Sequence, residues 1–135
     1  MTILLDTNAC IAVMNNRPQA VREKFRREVR AGERMTLSSI SLFELWFGIA
    51  KSAYKASNEQ QLADFCRDLE ILSFNDDDAR SAAFIRADRL KIGRPIGAYD
   101  LLIASQALRR GFRLVSADIG AFSTVVGLRW ENWAA

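Results

Sequence analysis

Hydrophobic positions in this chain switch between two spacings, short unbroken runs that suit buried strands and a three-or-four-residue repeat that suits one face of a helix. Ile3-Leu4-Leu5 forms the first run, within a strand from Thr2 to Leu5 that stops at Asp6. Asn8 to Asn15 reads as a first helix, and Pro18 suits the first position of a second, which runs to about Ala31 and is stopped by Gly32. Met35 to Ser38 reads as a strand. A helix from Ser41 to Lys55 places Leu42, Leu45, Trp46 and Ile49 on one stripe. Another from Asn58 to Leu69 places Leu62, Phe65, Cys66 and Leu69 on one face, and Glu70 to Phe74 follows as a strand. Asn75 or Asp76 caps a helix to about Ile92, and the glycine and proline between Gly93 and Gly97 break it. Ala98 to Arg110 is again helical, closed by Gly111 in the left-handed conformation. Arg113 to Val115 and Leu128 to Trp130 complete the strands.

Strands alternating with helical crossovers predict an α/β/α sandwich around a mostly parallel central sheet of about four to five strands. No repeat, linker or low-complexity stretch interrupts the pattern, so residues 1–135 are expected to form a single domain. Half of the residues are hydrophobic, enough for a substantial core at this length. The apolar run before Asp6 is too short for a signal-peptide core, and nothing approaches the roughly 20 apolar residues of a membrane-spanning helix. A cytoplasmic location without membrane contact is therefore expected. Cys10 and Cys66 lack metal-binding spacing and read as small buried hydrophobes in a reducing compartment.

The chain has no histidine. That removes a Ser-His-Asp triad, imidazole acid–base pairs and His-rich zinc sites. Against this background four acids stand apart: Asp6, Glu44, Asp100 and Asp118, each in apolar or small-residue surroundings where a carboxylate is costly unless a cation meets it. Hard oxygen ligands suit magnesium or manganese. In parallel sheets ligands bind beyond the carboxyl ends of the strands. Asp6 ends the first strand, Asp118 follows the fourth, and Glu44 and Asp100 lie near the starts of helices, so all four are expected to converge on one cleft. Taken alone, Asp100 reads more readily as a helix-terminus partner, and the run Asp76-Asp77-Asp78 reads as a helix N-terminus rather than a site.

The net charge is +3 and the isoelectric point about 9.2. Neutralising four of the 16 acids leaves 12 against 19 basic residues, a balance of +7 that favours a polyanionic partner. Arg22, Lys24, Arg26, Arg27, Arg30 and Arg34 alternate with glutamates and read as a solvated face. Arg86, Arg89, Lys91 and Arg94 lead into the Asp100 segment and are expected to meet that polyanion. Phe43, Trp46, Phe47, Trp130 and Trp133 are expected in the core or at an interface rather than as base-stacking platforms.

The wording around the acids resembles a known family. Leu4-Leu5-Asp6-Thr7-Asn8 is similar to the opening of PIN domains, and the segment Ser39 to Gly48 resembles their acid-bearing helix. Gly93 to Ala104, containing Ile96-Gly97-Ala98-Tyr99-Asp100-Leu101-Leu102, resembles a third motif of the family. Leu114 to Asp118, Phe122 and Gly127 to Trp133 resemble its closing segment. The matches occur in order over residues 3 to 133 and point to the VapC-type toxins of bacterial toxin–antitoxin pairs.

That resemblance implies a PIN-like sandwich and a magnesium- or manganese-dependent endoribonuclease that hydrolyses RNA by metal-activated water. It implies Asp6, Glu44, Asp100 and Asp118 as metal-gathering catalytic acids. It also implies a VapB-type antitoxin partner, a homodimer and a higher toxin–antitoxin assembly. Thr7, Asn8, Ser39 and Ser116 adjoin the acids and suit a supporting polar shell, although capping and turn formation account for them equally well. Ser116 replaces the usual threonine, Asp118 stands where many members carry asparagine, and Ala121 replaces a common acid. A catalytically weak PIN-fold binding protein acting with a DNA-binding partner is the competing reading. A haloacid-dehalogenase-type phosphatase is disfavoured, because Asp6-Thr7-Asn8 lacks the required pair of aspartates.

Overall fold

The computed structural model describes residues 1–117 and 122–134. Asp118 and Ala121 lie outside the described residues. The elements run β1 (Thr2–Leu5), α1 (Thr7–Asn15), α2 (Gln19–Arg30), β2 (Arg34–Ser38), α3 (Ser39–Ala50), α4 (Lys55–Cys66), β3 (Glu70–Leu72), α5 (Asp76–Lys91), α6 (Ala98–Arg110), β4 (Arg113–Ser116) and β5 (Trp130–Asn132). The strands form one sheet in the order β3-β2-β1-β4-β5, with every described pairing parallel. Sequence predicts a mostly parallel sheet of four to five strands; the structure has five.

Alternation along β1 explains the two-sided core. Ile3 and Leu5 face a cluster with Ala9, Cys10, Val21, Leu45 and Leu62, so α1 to α4 cover that side. Leu4 faces the other way, against Ile103, Ala104, Ala107, Phe122 and Leu128, beneath α6 and the segment before β5. A strand buried on both faces needs a continuous apolar run, which is why Ile3-Leu4-Leu5 contains no polar break. Each buried Leu or Ile contributes about 1.5–3 kcal/mol relative to exposure.

Several boundaries differ from the sequence reading for identifiable reasons. Pro18 is the N-cap of α2, in an extended conformation at ψ 149°, and not its first helical residue. The helix expected over Ser41 to Lys55 spans Ser39–Ala50, because the Ser52 hydroxyl donates to the Ile49 carbonyl at 2.8 Å and closes the turn. This frees Lys55 to begin α4, which ends at Cys66 and not Leu69. The third strand stops at Leu72, and the Phe74 N–H is turned toward the Ser39 hydroxyl at 3.1 Å. Leu128 is buried in the second core, so the last strand begins at Trp130.

Caps at α5 and α6 agree with the sequence. Asn75 accepts from the Asp78 N–H, and the Asp78 carboxylate accepts from the Asn75 N–H, a reciprocal capping box. Gly111 ends α6 at φ 68°, where a side chain would be strained. Asp78 is also buried and bonded to Arg109 and Arg110, so the carboxylate that starts α5 clamps the last turn of α6. Among the described residues no helix is long and apolar enough to cross a membrane.

Candidate functional site

The site begins with Asp6, at the carboxyl end of the central strand. Its backbone N–H donates to the Val115 carbonyl on β4, and its Oδ1 accepts from the Ala9 N–H at 2.7 Å, capping α1. The chain leaves the strand and enters the helix at this residue, which leaves the carboxyl group 1% exposed. Cys10 lies one turn further along α1, its N–H bonded to the Asp6 carbonyl. Burial pushes the Cys10 thiol well above its ordinary pKa, and the neighbouring Asp6 carboxylate adds to the rise.

Thr7 links this strand end to α3. Its hydroxyl donates to Glu44 Oε1 at 2.6 Å, and its Oγ1 lies 3.0 Å from Ser41 Oγ. A hydroxyl carries one proton, so with that proton on the carboxylate, Ser41 completes the chain by donating to Thr7. Ser41 precedes Glu44 by three positions and therefore shares its helix face. The result fixes the Glu44 carboxylate beside the residue that follows Asp6.

A cleft of about 650 Å³ opens at this point, lined by Thr7, Asn8 and Glu44 together with Phe43, Phe47, Lys51 and Tyr99. Tyr99 brings the third acid to the same region, because Asp100 follows it in the first turn of α6. Asp100 is half-buried, and a Cβ placed on Gly97 would lie 3.6 Å from its Oδ2, so the carboxyl group folds back toward the helix start. The structure thus brings Glu44 to Thr7, the residue after Asp6, and places Asp100 next in sequence to the lining residue Tyr99. Asp118 is outside the described residues.

The donor chemistry fits a hard divalent cation, since Asp6, Glu44 and Asp100 offer only oxygen. Among the described residues, no group of three or more acids, cysteines or histidines stands close enough to enclose a metal ion. Of the three described acids Glu44 lines the cleft, while Asp6 and Asp100 lie next in sequence to the lining residues Thr7 and Tyr99.

The expected supporting residues divide. Thr7 and Asn8 line the cleft. Ser116 is buried at the end of β4, and its carbonyl accepts from the Trp133 N–H at 3.0 Å. Ser39 is engaged by the Phe74 N–H instead, and Ser41 takes the place beside Glu44 that the sequence reading gave to Ser39. The basic group divides too. Arg86, Lys91 and Arg94 are exposed, whereas Arg89 is 7% exposed and donates to the Thr124 carbonyl, so it is a structural tie and not a free RNA contact. Arg86 and Arg89 line a separate hollow of about 300 Å³.

Of the aromatics expected in the core or at an interface, one is in the core. Trp133 is buried, but Phe43, Trp46, Phe47 and Trp130 are exposed. Lys51 and Tyr99, which the sequence reading passed over, complete the cleft with Phe43 and Phe47. Phe43, Phe47 and Lys51 recur every fourth residue along α3, the one signal in the sequence that they share a face.

Comparison with known proteins agrees with this fold. The PIN domain family model matches residues 3–127. The tRNA(fMet)-specific endonuclease VapC of Salmonella typhimurium is 35% identical over 133 residues, covering 98% of each chain. Ribonuclease VapC2 of Haemophilus influenzae is 38% identical over 130 residues, 96% of each. Among solved structures, a chain of VapBC2 from Rickettsia felis, bound to a DNA fragment from their promoter, superposes with a TM-score of 0.91 at 32% identity, covering 98% of this chain and 99% of that one.

Proposed function

The chain belongs to the PIN domain family, and from that membership we propose that it is an endoribonuclease acting as the toxin of a toxin–antitoxin pair. The observation that carries the reading is the Thr7–Glu44 bond, which holds a second carboxylate beside the buried Asp6 at the carboxyl edge of the sheet. Relatives named as VapC ribonucleases at 35–38% identity over nearly the whole chain support the activity. Residues 1–135 act as one PIN domain in the cytoplasm.

Asp6, Glu44, Asp100 and Asp118 are the proposed ligands of magnesium or manganese. Such an ion supplies charge stabilisation to the phosphodiester and makes a nucleophile available from water at neutral pH. The chain's own residues do the positioning. Thr7, held by Ser41, fixes the Glu44 rotamer so that its second oxygen is directed by a rigid pair of elements. Asp6 is fixed by its cap bond to the Ala9 N–H. Exposed Arg86, Lys91 and Arg94 add long-range attraction for the RNA backbone. A VapB-type antitoxin and homodimerisation are the proposed assembly, supported by the likeness to VapBC complexes.

The test is incubation of purified protein with a panel of cellular RNAs in magnesium or manganese and in chelator. Metal-dependent cleavage, lost in Asp6→Asn and Asp100→Asn, is the expected result. Cleavage that survives chelator or either substitution refutes the site. Growth arrest on expression, relieved by a co-expressed antitoxin, is the separate expectation for the toxin role.

A further inference from the structure

Arg89 carries a positive charge that the fold nearly encloses and does not neutralise. The residue is 7% exposed, and its Nη1 donates to the Thr124 carbonyl, an uncharged acceptor. Among the described residues neither Arg89 nor Arg86 joins an ion pair. A charge this deep is costly while no anion meets it. The remaining N–H groups of Arg89 are not sealed in, because Gln106 Oε1 is the single buried side-chain nitrogen or oxygen without a partner among the described residues. Arg89 lines a hollow of about 300 Å³ together with Arg86, against apolar walls from Pro95, Ile96, Leu101 and Leu102. Those walls are held in place. Leu101 is buried, Ile96 packs against the second core, and the Arg94 N–H donates to the Arg89 carbonyl at 2.9 Å.

We propose that this hollow is a binding site for a small carboxylic acid with a hydrocarbon body, its carboxylate on Arg89 and Arg86 and its body against the apolar walls. The hollow shares no lining residue with the acid cleft, and the proposal does not depend on the ribonuclease reading. A carboxylate presents two oxygens in one plane, which the fork of a guanidinium matches. The lining side chains offer donors or nothing, since arginine has no acceptor and the others are hydrocarbon. A free amino acid is therefore a poor occupant, because its ammonium would face two guanidinium groups. A peptide end is poor as well, because its amide N–H finds no acceptor among these side chains. The RNA backbone fits no better, since entry would strip water from a phosphate and set it against Pro95, Ile96 and Leu102. The first turn of α6 joins the hollow to the catalytic edge, with the lining residues Ala98 and Leu101 on either side of Asp100 in sequence.

The test titrates the full chain with sodium hexanoate, read by calorimetry and by backbone amide shifts in NMR spectra. Hexanamide, leucine and inorganic phosphate serve as comparisons. Hexanoate is expected to bind and to move the amide signals of Ile96, Leu101 and Leu102. Hexanamide keeps the body and removes the charge, so it should bind about 10- to 100-fold more weakly, the range for losing a hydrogen bond to a charged group. Leucine and phosphate should also bind more weakly than hexanoate. Arg86→Met, at an exposed position, should weaken hexanoate binding and leave thermal unfolding unchanged, and Arg89→Met should weaken binding further. Absence of saturable hexanoate binding, equal binding of hexanoate and hexanamide, or shifts confined to residues outside the hollow overturn the site. Phosphate or leucine binding more tightly than hexanoate assigns the two arginines to a different ligand and also overturns it. Should Arg89→Met fail to fold, Arg86→Met decides alone, and unchanged hexanoate binding in that variant refutes the proposal.

Discussion

Replacing Asp78 by asparagine tests whether the α5–α6 clamp is electrostatic. The carboxylate is fully buried and accepts from Arg109 Nε at 2.9 Å, Arg110 Nη1 at 2.5 Å, Arg110 Nη2 at 3.1 Å and the Asn75 N–H at 2.9 Å. Burial alone would raise its pKa, but the bonds from Arg110, the Asn75 N–H and Arg109 outweigh that and hold it at about 2, below its ordinary 3.8. The difference corresponds to roughly 2.4 kcal/mol. Arg109 is one-third exposed, so solvent screening reduces the expected contribution to about 1–2 kcal/mol. Asparagine keeps the shape and an acceptor for the cap while removing the charge. A depressed pKa in the folded state means the stabilisation is fully present above 3.8 and is lost as pH falls through about 2. Urea unfolding followed by circular dichroism should therefore show the variant less stable by about 1–2 kcal/mol near neutral pH, with the gap closing toward about pH 2. Taking the difference between the two proteins cancels the titration of distant acids. A gap below about 0.5 kcal/mol at neutral pH, or one that persists unchanged at about pH 2, would refute the clamp.

Other outcomes follow from the site. Thr7→Val keeps the volume and removes the proton given to Glu44, so metal affinity in titrations should fall about 10- to 100-fold, while Thr7→Ser should restore most of it; equal behaviour of the two variants would show that the hydroxyl is irrelevant. Asp6→Asn preserves a good N-cap, so metal-free stability should change by less than about 1 kcal/mol while cleavage is lost, and a large loss of folding by calorimetry would assign Asp6 to structure alone. The Cys10 thiol is buried with a raised pKa and Cys66 is only half-buried, so mass spectrometry after mild alkylation should find Cys66 modified first and Cys10 protected until urea unfolds the chain. Rapid labelling of Cys10 in the native protein would contradict that packing.

The parts of the fold written locally were legible in the sequence. Ile3-Leu4-Leu5 announces a strand because a two-sided parallel sheet tolerates no polar break, and Asn75 or Asp76 announces a cap because a short polar side chain there can reach the first backbone N–H groups; the structure gives that role to Asn75, with Asp78 answering it. Gly111 marks the end of α6 for a similarly local reason. The break between α3 and α4 was hidden, since it is made by the Ser52 hydroxyl reaching a carbonyl while the hydrophobic repeat carries on past it. At the site, the acids could be named from their places at strand and helix ends, but the pairing of Thr7 with Glu44 spans 37 positions and needs the fold to bring them together. The exposure of Phe43 and Phe47 is not legible in the sequence, because hydrophobicity records what a side chain prefers, not which face of α3 it occupies. Arg89 was misread in the opposite sense, as its charge suggested solvent while its position under the 122–128 segment gave it a backbone carbonyl to hold.

The position of β1 at the middle of the sheet has a consequence for biosynthesis. Its neighbours are β2, made early, and β4, made near the end, and the backbone of Asp6 itself is tied to Val115. The first strand to leave the ribosome is therefore the last to be enclosed, and its pairing with β4 closes a loop of more than a hundred residues. A growing chain carries Asp6 and Glu44 long before it has β4, the strand that seats Asp6. Such a chain cannot assemble the cleft while it is attached and short of Val115. The seating of Asp6 therefore waits on a residue more than a hundred positions downstream, whatever the order in which the other walls of the cleft fold.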